Sequence, residues 1–179
     1  MIYYTADLHL GHANVITTSV RPYETVEEMN NALIENWNRV VKDSDDVYIV
    51  GDLIFKNGAQ EKALLPLLKG KKHLVVGNHD EKWLTEEMES YFETIAPYME
   101  IEDDGHKVVL CHYPMLQWKG ARRGSIHVYG HIHSAKKDTD FLVMKMKKRA
   151  LNAGVDINGY RPVTLKQMIA NNENYFKAY

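Results

Sequence analysis

Five short blocks place metal-binding side chains in a fixed order: Asp7-x-His9, Gly51-Asp52, Gly77-Asn78-His79-Asp80, an isolated His112, and Gly130-His131-x-His133. The donors are carboxylate, imidazole and amide oxygen without thiolate, a set that suits Mn²⁺, Fe²⁺/³⁺, Zn²⁺ or Ni²⁺ and excludes cysteine-rich structural zinc. Asp52 stands alone after a glycine, and its two carboxylate oxygens make it the candidate able to touch two cations. Two cations about 3.5–4 Å apart can clamp a phosphoryl group and ionise a shared water near neutral pH. The pattern therefore points to phosphoester chemistry.

Elements must deliver these donors to one place. Each of the first four blocks follows a run of β-forming residues, at 2–5, 47–50, 73–76 and 108–111, which reads as strand tips opening into a shared cleft. In Asp7-Leu8-His9 and in His131-Ile132-His133, alternation along an extended backbone is expected to send both ligands to one side. Residues 25–41 open on a capping-box pattern and put Val26, Met29, Leu33, Trp37 and Val40 on one helical face. Residues 59–69 read as a helix that Pro66 should break and Gly70 should end. Strands and helices alternate through this first half, so parallel pairing is expected.

The second half differs. Residues 98–102 and 107–111 flank Asp104-Gly105 and read as an antiparallel hairpin. Residues 125–129 alternate towards Gly130, and two further extended stretches, 141–146 and 149–153, are expected to complete a second sheet. A last helix follows a second capping box, Thr164-Leu165-Lys166-Gln167, with Leu165, Met168, Ile169 and Phe176 on its apolar side. Two packed sheets flanked by helices is the architecture these patterns support.

Composition narrows the function classes. A chain of 179 residues is long enough for one substantial core and short for two, so residues 1–179 are expected to form a single domain without a cap. The 24 acidic and 22 basic residues leave a formal charge of -2, which gives no whole-protein attraction to nucleic acid or anionic membrane. Cys111, the only cysteine, cannot form an intramolecular disulfide, and the N-terminus does not resemble a secretory leader, so a cytoplasmic location is expected. No apolar run approaches the ~20 residues that cross a bilayer.

The ordered set Asp-x-His, Gly-Asp, Gly-Asn-His-Asp, His and Gly-His-x-His resembles the calcineurin-like metallophosphoesterase superfamily, with all five blocks present between Asp7 and His133. Gly11-His12-x-Asn14, Arg21-Pro22 and Asn152-Ala153-Gly154-Val155-Asp156 are similar to its small, uncapped bacterial and phage members. The resemblance implies an α/β fold, a four-layer α/β/β/α sandwich of two mixed sheets with a dinuclear site at the sheet edges. It implies two divalent ions, with Mn²⁺ favoured: Asp7, His9, Asp52 and His133 would hold one, and Asp52, Asn78, His112 and His131 the other. A hydroxide between them would attack phosphorus in line with the leaving oxygen. His79 matches the position that faces substrate, to stabilise phosphoryl oxygens or protonate the leaving group, and Asp80 is expected to orient its ring or to act as a helix N-terminal charge.

The expected substrate is a small or nucleotide-like phosphodiester or phosphomonoester, with the diester favoured because no cap closes the site. A non-catalytic protein-interaction scaffold of the same fold is the alternative, which an intact His79 argues against. A nuclease is a third reading, which the neutral charge does not favour.

The remaining assignments concern substrate and support. His12 lies close enough to the first block to touch substrate or orient a ligand. Asn14 and Arg21 in one loop, and Trp118 and Arg122 in another, are candidate substrate contacts, Arg21 for the non-reacting side of the phosphate. Residues 113–124 also read as a solvated turn. His73, His106 and His127 are expected to be structural or superficial, and Cys111 to sit in the core. Asn152 and Asp156 either support the site or end a strand. Lys145, Lys147, Lys148 and Arg149 form a basic run of the kind that makes a solvated edge.

Overall fold

The computed structural model describes residues 1–55, 60–136 and 138–178. Two four-stranded sheets face one another. In the first, β1 (Ile2–Thr5), β2 (Asp46–Val50), β3 (Lys71–Val75) and β4 (Thr94–Ala96) run in that order, and every pair is parallel. In the second, β5 (Met99–Asp103) and β6 (His106–Leu110) form the hairpin that the Asp-Gly step predicts, and β7 (Ile126–Tyr129) and β8 (Ala150–Asn152) add parallel to β6. One sheet is thus purely parallel, as the alternation of the first half predicts, and only the other is mixed, where the resemblance implied two mixed sheets. The crossovers explain it: each connection within the first sheet contains helical structure, whereas β5 and β6 are joined by a tight turn.

Alternation along each strand builds three apolar layers. Val47, Ile49 and Leu74 point outward onto Met29, Leu33 and Trp37 of α2 (Val26–Val40). Tyr4, Val50 and Val75 point inward and meet Val108, Leu110, Ile126, Val128 and Leu151 between the sheets. On the far side Tyr129 and Ala150 are covered by Phe141 and Met144 of α5 (Thr139–Lys145). The sequence pattern 141–146, read as a strand, is therefore a helix. Its β-branched and aromatic residues mimic strand composition, but Phe141 and Met144 stand three apart, the spacing that places both on one helical face.

Caps and breakers act as their chemistry requires. Thr25 Oγ1 accepts the Glu28 amide at the start of α2, while the Glu28 carboxylate reaches one residue further back, to the Glu24 amide. α3 (Gln60–Leu64) gives way at Pro66 to a 3₁₀ turn over Leu65–Leu67; Ala59, expected to begin this helix, lies outside the described residues. α6 (Leu165–Lys177) opens on the full Thr164/Gln167 capping box and packs against both β1 and β8, closing the same side of both sheets. Among the described residues no helix is long and apolar enough to cross a membrane.

His127, in β7, fastens the 113–125 loop to the sheet. It is buried, one ring nitrogen lies 3.1 Å from the Val109 carbonyl, and Nε2 accepts the Met115 amide. An Nε2 that accepts an N–H carries no proton, so the ring is held neutral, and burial lowers its pKa from 6.5 to about 4. The unfolded chain then binds a proton that the folded chain refuses between these two values. Stability must fall as pH drops through that window. His127→Gln should remove about one proton from the pH slope of the unfolding free energy between about pH 6 and 4.5, measured by urea unfolding in chelator. Equal slopes would show that His127 is not the sensing group.

Candidate metal centre

All the ligand blocks sit just past the C-terminal ends of β1, β2, β3, β6 and β7. The loops after β1 and β2 run side by side, with the amides of Asp7, His9 and Leu10 donating to the carbonyls of Gly51, Asp52 and Leu53. Asp7, His9, Asp52, His131 and His133 have φ values of 56°, 52°, 55°, 72° and 48°. The expected alternation along an extended strand is therefore not how the paired ligands converge. A left-handed residue turns the chain sharply at each donor, at a cost of about 1–2 kcal/mol apiece, and such strain collects at functional sites.

The donors meet around Asp52. Its Oδ2 lies 3.6 Å from His9 Nε2, 3.5 Å from His112 Nε2 and 4.0 Å from His79 Nε2, while Oδ1 accepts the His79 amide. Asn78 Oδ1 lies 3.0 Å from both His112 Nε2 and His131 Nδ1. Donor atoms of Asp7, His9 and His133, of Asp7, Asp52 and His112, and of His9, Asp52 and His79 each fall within 4.8 Å of one another. Two glycines make this density possible: a methyl group on Gly51 would overlap the His112 ring, and one on Gly77 would overlap the Asp52 carboxylate.

The residues present fit divalent cations. Asp7 Oδ2 and both His9 ring nitrogens are buried without a hydrogen-bond partner, a costly state that a bound cation relieves. Burial and the neighbouring His133 charge hold His9 well below its usual range, so it is the neutral imidazole that ligation needs. Burial alone would raise Asp52, but His112, the His79 amide and His9 bring its carboxyl down to about 2. Burial likewise opposes charge on His112, yet Asp52 and Asp7 draw its pKa up to about 9, marking a place that calls for positive charge. The His112 Nδ1 lies 2.9 Å from the Val50 carbonyl, which leaves Nε2 facing the cleft.

Behind the donors stand residues whose roles differ from those expected. Asp80 does not touch the His79 ring: its oxygens accept the amides of Gly77, Asp52 and Leu53 and the Trp83 indole N–H. It is a buried clamp between the loops after β2 and β3. Arg21 is likewise no phosphate contact. Its guanidinium is buried, paired with Asp156 at 2.8 Å, and donates to the carbonyls of Asp7 and Leu8. Asp156 in turn lies 2.9 Å from His133 Nδ1, and Asn152 donates to the His133 carbonyl. The sequence left Asp156 and Asn152 undecided, because their contact with His133 depends on the turn after β8.

His12 does reach the centre. Its ring stacks on Phe55 at 3.8 Å and lies 5.3 Å from His9 and 6.3 Å from His79. Phe55 had not been singled out, since a lone aromatic in a polar loop carries no pattern. Asn14 is exposed on the short helix α1 (Ala13–Thr18). Trp118 donates to the Ser125 carbonyl and, with Arg122, borders a groove that contains none of the ligands, so neither is a contact of this centre. Cys111 is half-buried rather than in the core.

The sequence matches the description "Calcineurin-like phosphoesterase superfamily domain" over residues 2–159. The chain belongs to the calcineurin-like phosphoesterase superfamily. An uncharacterised protein of Methanocaldococcus jannaschii is 36% identical, covering 94% of this chain and 89% of its own. The gene 66 protein of Mycobacterium phage L5 is 27% identical over 88% of this chain and 87% of its own. Among solved structures, a protein of unknown function from Aquifex aeolicus superposes with a TM-score of 0.74 at 24% identity, covering 93% and 96% of the two chains. This phosphoesterase chain thus combines a hydrolase fold with candidate metal-binding Asp and His groups.

Asp156→Asn in the phosphoesterase removes the countercharge of Arg21 and weakens the partner of His133. Mn²⁺ affinity should fall about 10- to 100-fold by isothermal titration calorimetry. Unchanged affinity would remove Asp156 from the support of the centre.

Proposed function

We propose that the protein is a dinuclear-metal-dependent phosphoesterase acting on a small or nucleotide-like substrate, with phosphodiesters favoured over monoesters. The observation that carries this reading is the position of Asp52 Oδ2, nearly equidistant from His9 and His112, with Asp7 Oδ2 and His9 left without partners beside it. In this reading Asp7, His9, Asp52 and His133 hold one ion, and Asp52, Asn78, His112 and His131 the other, Mn²⁺ being favoured. When bound, the ions would neutralise phosphoryl charge and acidify a water.

The chain's own residues supply the rest. His79 sits part-exposed at the mouth beside His9 and His12, where it stabilises the phosphoryl oxygens or protonates the departing alkoxide. His12, stacked on Phe55, would meet the substrate near the same edge. A cleft of about 730 Å³ runs from His131 and His133 past Asp156 to Val20 and Tyr160. That is far more room than a phosphate alone needs, which supports a substrate with a sizeable substituent. Asp80 and Arg21 act as positioning residues.

Chelator-stripped protein reloaded with Mn²⁺ should hydrolyse bis-p-nitrophenyl phosphate faster than p-nitrophenyl phosphate. The reverse preference would make it a phosphatase, and metal binding without turnover on either ester would favour the scaffold reading. Asp52→Asn should lose both metal and turnover. His79→Ala should keep its metal and lose about 10²- to 10⁴-fold in kcat. Full activity in that variant with metal retained would reject the role given to His79.

A further inference from the structure

At the end of the second sheet opposite the candidate metal centre, a ridge of cations leads from α5 into β8. Lys145 ends α5, and Lys147, Lys148 and Arg149 lead into β8. Since β7 and β8 are parallel, the ridge sits at their N-terminal ends, whereas His131 and His133 follow the C-terminal end of β7. Grooves lie on both sides of it. One, of about 420 Å³, has Ile126, Leu151, Ile169 and Phe176 in its wall; the other, of about 270 Å³, is bordered by Leu116, Trp118 and Arg122. Lys147, Lys148 and Arg149 line both.

Among the described residues no carboxylate pairs with Lys145, Lys147, Lys148, Arg149 or Arg122, whereas Lys119 nearby is matched by Glu100 at 2.9 Å. Glu173 is the acidic side chain in the larger groove, and Lys177 lies 3.8 Å from it. Four cations within five residues repel one another, and in a chain of net charge -2 they are a local concentration rather than a general bias. An extended polyanion relieves that repulsion and releases its own counterions. The flanking grooves add a requirement: an apolar wall on one side of a line of charge and an indole on the other suit flat bases splayed from a phosphate backbone. A duplex keeps its bases stacked inside and cannot use them.

We propose that the Lys145–Arg149 ridge binds single-stranded nucleic acid, with phosphates along Lys147, Lys148 and Arg149 and unstacked bases in the two grooves. Trp118 and Arg122 then belong to this second site rather than to the metal centre. The inference does not rest on the phosphoesterase reading.

The test uses the metal-loaded full chain and fluorescence anisotropy of a labelled oligothymidylate of about 15 nucleotides, within the usual span of such sites. Binding should be measurable at about 50 mM salt and weaken steeply towards 200 mM. The triple variant Lys147→Ala, Lys148→Ala, Arg149→Ala should bind at least ten-fold more weakly and lose about 2 from the log–log salt slope, at roughly 0.7 per phosphate contact. Its far-UV circular dichroism and urea midpoint should match those of the unsubstituted protein, which checks folding. No binding at low salt, equal binding by the triple variant, or equal binding of a duplex would overturn the proposal. Preference for phosphatidylserine vesicles over the oligonucleotide would reassign the ridge to a lipid surface and equally overturn it. Oligonucleotide binding without ester hydrolysis would reject the proposed activity and leave this site standing.

Discussion

The centre depends on a backbone conformation that side chains ordinarily avoid. Asp7, His9, Asp52, His131 and His133 all carry their donors from left-handed residues, and a chain keeps such turns only where its surroundings over-determine them. Here the surroundings are polar and buried. Asp80 gathers the amides of Gly77, Asp52 and Leu53, and Arg21 gathers the carbonyls of Asp7 and Leu8. Each clamp satisfies backbone groups that strand pairing has already abandoned. The strain at the donors and the burial of two charged side chains are thus parts of one arrangement.

The sheets divide the work. Parallel strands bring three loops to one end of the first sheet, and β6 and β7 bring two more from the second. Their common core, from Tyr4 and Val75 to Val108 and Val128, sets the spacing between these two groups of loops. Asp7 is the cross-tie: its Oδ1 accepts the His131 amide, so a donor of the first sheet fixes the backbone of a donor of the second.

Much of this was legible in the sequence because it rests on local chemistry. Every strand except β4, the Asp-Gly hairpin, the capped helices and the proline break follow from patterns a few residues long, and so does the order of the ligand blocks. What was not legible depends on long-range contacts or on composition that serves two conformations. Phe141 to Met146 has strand-like residues but a helical spacing. Arg21 looked like a phosphate contact because an arginine in a loop near a ligand block has no visible partner until Asp156, 135 positions away, folds against it. Asp80 misled in a related way, since its neighbour His79 is near in sequence while its four donors come from two loops.

Asn172 of α6 accepts the Asn152 amide, and Asn152 holds the His133 carbonyl. The candidate metal centre therefore takes donors from the loop after β1 and is braced from α6. During synthesis Asp7 and His9 leave the ribosome before α6 and lack that support until it has emerged and docked. A nascent chain interrupted before Asn172 carries every candidate ligand without the brace that holds the loop of His133.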